Sequence, residues 1–73
     1  MSLSAKAFGP AIQAARERAG LTQPEVAERA GLTAMSVSYT ERGLTSPRLD
    51  NAIALCEALG LSLDEACTSK GEI

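Results

Sequence analysis

Catalysis has little to work with in this chain. There is no histidine to serve as a base, no Gly-x-Ser-x-Gly elbow to raise a nucleophile, and no glycine loop of the kind that cradles phosphate. The groups that remain bind rather than react. Thr33, Ser36, Ser38 and Tyr39 carry hydroxyls, Ala34 and Met35 stand among them as apolar contacts, and Arg42 and Arg48 follow. Hydroxyls donate and accept, small apolar groups fill contacts between them, and guanidinium groups carry fixed positive charge, so the set suits recognition of a polar partner. No enzyme is expected, and no cofactor. A metal site is excluded on similar grounds, because Cys56 and Cys67 come without histidine and without a Cys-x-x-Cys pair. Both thiols are expected reduced, with Cys56 as a small core residue rather than half of a disulfide.

Those hydroxyls need a rod to display them, and the 21 residues from Thr22 to Arg42 supply one. Gln23, Ala27, Gly31 and Val37 stand at positions one, five, nine and fifteen of that stretch counted from Gln23. A small residue at 27 lets a second helix cross close to the first, Gly31 supplies the positive φ that ends the first, and Val37 anchors the second underneath. This is helix-turn-helix spacing, and such a unit presents its second helix as a ridge that fits a DNA major groove. Thr22-Gln23-Pro24-Glu25 reads as a capping box that starts a helix at Gln23, running to Ala30. Thr33 reads as the N-cap of a helix from Ala34 to Arg42, with Val37 and either Thr40 or Glu41 turned inward. Thr33, Ala34, Met35, Ser36, Ser38 and Tyr39 are then the outward set. Two placements suit Tyr39: outward, or rotated into the core in place of Thr40.

The rest of the chain supports this pair. Phe8, Ile12, Ala15 and Ala19 recur at helical spacing and predict a first helix with Pro10 in its first turn, residues 1–7 forming a frayed lead-in. Ser46-Pro47 reads as an N-cap and first helical residue, opening a fourth helix whose stripe is Leu49, Ala52, Ile53, Cys56 and Leu59. Ser62-Leu63-Asp64-Glu65 repeats the capping logic and opens a short fifth helix ending near Cys67. The expected architecture is all-α: a compact five-helix bundle over residues 8–67, one domain, with 1–7 and 68–73 as flexible termini. Ala and Leu dominate a composition that is 45% hydrophobic, which suits short packed helices.

Charge and length bound the function. A net charge of −2 and a pI near 4.9 oppose indiscriminate nucleic-acid binding. However, Glu57, Asp64, Glu65 and Glu72 all fall in the last third of the chain, and a Debye length of about 8 Å makes local charge decisive. No apolar run approaches the roughly 20 residues that cross a bilayer, so no membrane partner is expected and the location is cytoplasmic, nucleoid-associated when bound. At 73 residues there is no room for a separate ligand domain.

Several segments together resemble one family. Arg16-Glu17-Arg18-Ala19-Gly20, Leu21-Thr22-Gln23, Val26-Ala27, Ala30-Gly31-Leu32-Thr33, Val37-Ser38, Glu41-Arg42-Gly43, Ser46-Pro47 and Leu59 through Glu65 are similar to phage repressor and Cro-like, or XRE-type, helix-turn-helix domains. The resemblance runs from Ile12 to Ala66 and implies the lambda-repressor-like DNA-binding fold. It further implies that Thr22 and Gln23 meet a phosphate at the start of the second helix, that Arg42 and Arg48 touch the DNA backbone, and that Arg16 and Glu41 form a largely buried ion pair. The third helix would read bases through Thr33, Ala34, Met35, Ser36, Ser38 and Tyr39.

In one respect the chain departs from the family pattern: no Arg, Lys, Gln or Asn faces outward in the reading helix. Bidentate contacts worth about 1–3 kcal/mol each are therefore unavailable, and DNA shape and paired half-sites must supply the remaining discrimination. The expectation is a repressor-like transcriptional regulator on double-stranded DNA, acting as a homodimer on a palindromic operator. Leu61 and Leu63 are the candidate dimer contacts, and a toxin or other regulator is a possible protein partner. The alternative is a protein-interaction module built on the same scaffold, with weak DNA binding or none.

Overall fold

Phe8, Ile12 and Ala15 lie every three or four residues on one side of helix α1, Ala5–Arg18, and all three are buried. The computed structural model describes residues 5–45 and 47–61. Helix α1 begins ahead of its expected start, which leaves Pro10 inside it rather than in its first turn. Proline there removes one backbone hydrogen bond, and its ring disfavours helical geometry in the residue before it. That residue is Gly9, which has no Cβ to clash. Gly9 serves packing as well. It is buried, and a Cβ built on it would collide with the Thr40 carbonyl oxygen and come within 2.8 Å of the Glu41 carbonyl oxygen. The backbone of α1 therefore lies directly on the end of the third helix. Ala19, expected in the buried stripe, is exposed in the turn that follows α1.

Helix α2, Gln23–Ala30, starts where its capping box dictates: the Glu25 N–H donates to Thr22 Oγ1 at 3.2 Å and the Thr22 N–H donates to Glu25 Oε1 at 2.7 Å. It stops at Gly31, whose φ of 72° is open to glycine at little cost, and the Leu32 N–H folds back onto the Ala27 carbonyl at 2.8 Å. Thr33 then caps helix α3, Ala34–Glu41, accepting from the Ser36 N–H at 3.1 Å. Arg42 follows as its C-cap in a helical conformation, so α3 ends one residue before the expected boundary.

Helix α4, Leu49–Leu59, corrects two expectations. Arg48, not Ser46, is its N-cap, and Arg48 is extended, so Pro47 lies outside the helix. Ser46 lies outside the described residues. The buried stripe is Ala52, Leu55 and Cys56, while Leu49 and Ile53 are exposed. Two apolar stripes share Ala52 and Cys56 on this helix, and periodicity alone does not choose between them. Packing of α4 against α1 and α2 chooses the one that contains Leu55.

The core gathers Phe8 and Ile12 of α1, Val26 and Ala27 of α2, Val37 of α3, and Ala52, Leu55 and Cys56 of α4. Among the described residues there are four helices and no strand. The expected fifth helix, Cys67 and Leu63 lie outside the described residues. No helix in the described part is long and apolar enough to cross a membrane.

Candidate nucleic-acid interface

Residues of α3 and its N-cap grade from a buried side to an exposed one. Val37, Thr40 and Glu41 are buried, whereas Thr33, Met35 and Tyr39 are exposed, with Ala34, Ser36 and Ser38 half-buried between them. Met35 is 63% exposed and Tyr39 39% exposed. The rotated alternative, with Tyr39 in the core and Thr40 outside, is thus not the one adopted. Thr33 uses one lone pair of its hydroxyl on the cap and keeps its O–H to donate.

Beneath this ridge lies a bonded anchor. Arg16 Nε donates to Glu41 Oε2 at 2.7 Å and Arg16 Nη2 donates to Glu41 Oε1 at 3.1 Å, a two-pronged pair between α1 and α3. The third prong, Nη1, donates to the Leu21 carbonyl at 2.9 Å and ties the α1–α2 turn to the same guanidinium. The side chains are 14% and 2% exposed, so the pair is largely withdrawn from water. The Arg16 pKa is raised above its ordinary value, chiefly by the bond to Glu41, with burial acting in the opposite sense.

Gln23 joins this anchor through a contact between α2 and α3 that no local residue pattern marks. Its Nε2 donates to Glu41 Oε1 at 3.0 Å. A carboxylate only accepts, so the amide nitrogen must face Glu41, and its second hydrogen remains for another acceptor. Gln23 is half-buried at the first residue of α2, where the helix dipole is positive. Neighbouring Thr22 is exposed and engaged in the capping box.

The arginines differ in surroundings. Arg42 is exposed and its Cζ lies 5.5 Å from the centroid of the Tyr39 ring. Arg48 is 83% exposed and stands 3.7 Å from Asp50 Oδ1, a carboxylate the sequence reading left out of account. Leu61 is half-buried and packed against the core rather than displayed. Among the described residues, Leu44, Leu49 and Ile53 are the large apolar side chains exposed outside α3.

Electrostatically, the exposed side of α3 carries no carboxylate. Its first turn holds no acid, and Glu41 is buried under the charge of Arg16. In an acidic chain, that leaves this ridge compatible with a polyanion.

A family model described as helix-turn-helix, HTH_3, matches residues 12–65. The chain belongs to this family. Within the HTH_3 family it stands with the phage repressor and Cro-like, XRE-type domains. An uncharacterized HTH-type transcriptional regulator of Methanothermobacter thermautotrophicus is 43% identical over 49 residues, which cover 67% of this chain and 71% of that protein. Among solved structures, the P22 c2 repressor bound to the synthetic operator 9T superimposes with a TM-score of 0.80 at 29% identity, covering 99% of this chain and 100% of the repressor chain. The clp gene regulator ClgR from C. glutamicum gives the same TM-score and identity, covering 90% and 86% of the two chains. HTH_3 proteins and these relatives are regulators rather than enzymes.

Proposed function

We propose that this chain is a sequence-specific, DNA-binding transcriptional regulator that inserts α3 into the major groove. One observation carries the reading: the exposed face from Thr33 to Arg42 is free of carboxylates in a chain with a net charge of −2. The repressor–operator complex among its structural matches supports the same assignment. Thr33, Ala34, Met35, Ser36, Ser38 and Tyr39 read base edges. Thr33, Ser36 and Ser38 do so through hydroxyls, Ala34 and Met35 through thymine methyls.

Thr22, Gln23, Arg42 and Arg48 hold the sugar–phosphate backbone. Gln23 offers the phosphate its second amide hydrogen while the first stays on Glu41, so the group is oriented before DNA arrives. The regulator works as a homodimer on a palindromic operator with half-sites about 34 Å apart, in repressor fashion. Leu61, which follows α4, and Leu63 are the proposed dimer contacts, Leu61 through the part of its side chain that the core leaves uncovered.

Selection of bound fragments from random duplex DNA tests this. Recovered sites with two-fold symmetry, and an affinity that falls steeply with added salt, are expected. A chain that captures no duplex even at low salt is instead a protein-interaction module, with a toxin or another regulator as its partner.

A further inference from the structure

Arg42 is held by a neighbour on its own helix. Its guanidinium carbon lies 5.5 Å from the centre of the Tyr39 ring, and the spacing of three residues puts both side chains on one face. Among the described residues Arg42 makes no ion pair. The adjacent carboxylate, Glu41, is buried and already accepts from Arg16 and Gln23. Arg48, by contrast, has an aspartate beside it. Arg42 is therefore the cation of this ridge whose charge no carboxylate offsets, and an aromatic ring fixes where it sits.

We infer that Tyr39 is a positioning residue for the phosphate contact of Arg42, acting through its ring rather than its hydroxyl; this rests on the DNA-binding reading given above. A cation–π contact with the ring uses none of the five N–H groups of a guanidinium as hydrogen-bond donors to oxygen. Arg42 thus keeps its donors for two-pronged contact with a phosphate. The ring also restricts a long, flexible side chain before DNA arrives, which lowers the entropy lost on binding. Tyr39 is itself anchored from behind, because its carbonyl accepts from the Leu44 N–H at 3.1 Å where the chain leaves α3. Tyr39 thereby has a function separate from reading a base with its O–H.

Duplex affinity of the full chain, measured on a selected site and on an unrelated sequence across a series of salt concentrations, tests the assignment. Tyr39→Phe keeps the ring and is expected to retain the parent's salt slope and its affinity for the unrelated sequence, any loss of a base contact by the hydroxyl being confined to the selected site. Tyr39→Leu is expected to weaken binding roughly two- to five-fold on both sequences. Arg42→Ala should lower the salt slope by about one, with Tyr39→Leu between it and the parent. The double variant Tyr39→Leu/Arg42→Ala should bind no worse than Arg42→Ala, since the ring acts through the arginine. Arg42→Lys retains charge without the flat face and should resemble Tyr39→Leu; it also serves if Tyr39→Leu melts too low to assay. Equal losses from Tyr39→Phe and Tyr39→Leu on the unrelated sequence would assign the work to the hydroxyl and overturn the proposal. So would multiplicative losses in the double variant, or a lysine variant equal to the parent. A parent chain that binds no duplex at low salt overturns the DNA reading and this inference together.

Discussion

Arg16 and Glu41, 25 positions apart in the chain, meet through two hydrogen bonds of 2.7 and 3.1 Å that fasten α3 to α1. Replacing Arg16 with Met would leave a carboxylate that is 2% exposed without its counter-charge. Removing one member of such a pair costs about 3–5 kcal/mol, which lowers the Tm of a domain this small by more than about 10 °C. Thermal melting followed by circular dichroism measures it, and an unchanged Tm would refute a stabilising role. Replacing both residues with apolar ones of similar volume should cost much less, because no orphaned charge remains.

Gly9 yields a prediction of unusual sign. Alanine is normally favoured over glycine inside a helix by about 1 kcal/mol. Here the added Cβ would meet backbone oxygens of Thr40 and Glu41, which cannot rotate away as a side chain would. Gly9→Ala should therefore destabilise by about 1–3 kcal/mol, lowering Tm by at least roughly 5 °C. A rise in Tm would show that α1 and α3 part easily.

The capping box predicts an acid-sensitive contribution to stability. The Glu25 carboxyl titrates below its ordinary value of 4.5, first because it accepts from the Thr22 backbone N–H and then through the Thr22 side chain. A carboxyl lowered on folding stabilises fully above its unfolded pKa and loses that effect as pH falls through the folded one. Glu25→Ala should thus lower Tm at neutral pH, and the gap from the parent should close as the solution is acidified below the ordinary glutamate range. A gap of constant size from neutral to strongly acid solution would exclude the ionised carboxylate as its source.

Asp50 stands 3.7 Å from Arg48, and both are exposed. An exposed pair of this kind contributes little to stability, yet the carboxylate opposes an approaching phosphate. Asp50→Asn keeps an oxygen to accept from the Asn51 N–H, a bond of 2.9 Å in the parent, while removing the charge. Duplex affinity should rise by about two-fold at low salt, with Tm nearly unchanged. Titration of a labelled duplex measures this, and equal affinities would detach Arg48 from the DNA backbone.

Local chemistry made part of this molecule readable in advance. Thr22 with Glu25, Gly31 and Thr33 each complete hydrogen bonds within three or four residues, so neighbouring residue types suffice to place the ends of α2 and the start of α3. Val37 and Glu41 followed from the helical period and from the family resemblance. Contacts between distant segments were harder to anticipate. Nothing near Gln23 announces a bond to Glu41, because that bond depends on how α2 and α3 cross. The exposure of Leu49 and Ile53 depends on which of two overlapping stripes meets α1 and α2. Pro10 misled the reading of α1 because its ordinary cost is relieved by Gly9, whose value lies in a contact some thirty positions downstream.

On α3, the side chains that grip the bundle and those that face outward share no member. Val37, Thr40 and Glu41 fix the angle and depth of the rod, and the exposed Met35 and Tyr39 on the other side leave that geometry untouched. New target preferences can therefore arise, by drift or by design, through changes confined to a handful of outer positions. The scaffold tolerates such rewriting at the fully outward positions, whereas Thr33 must keep a side chain able to cap α3.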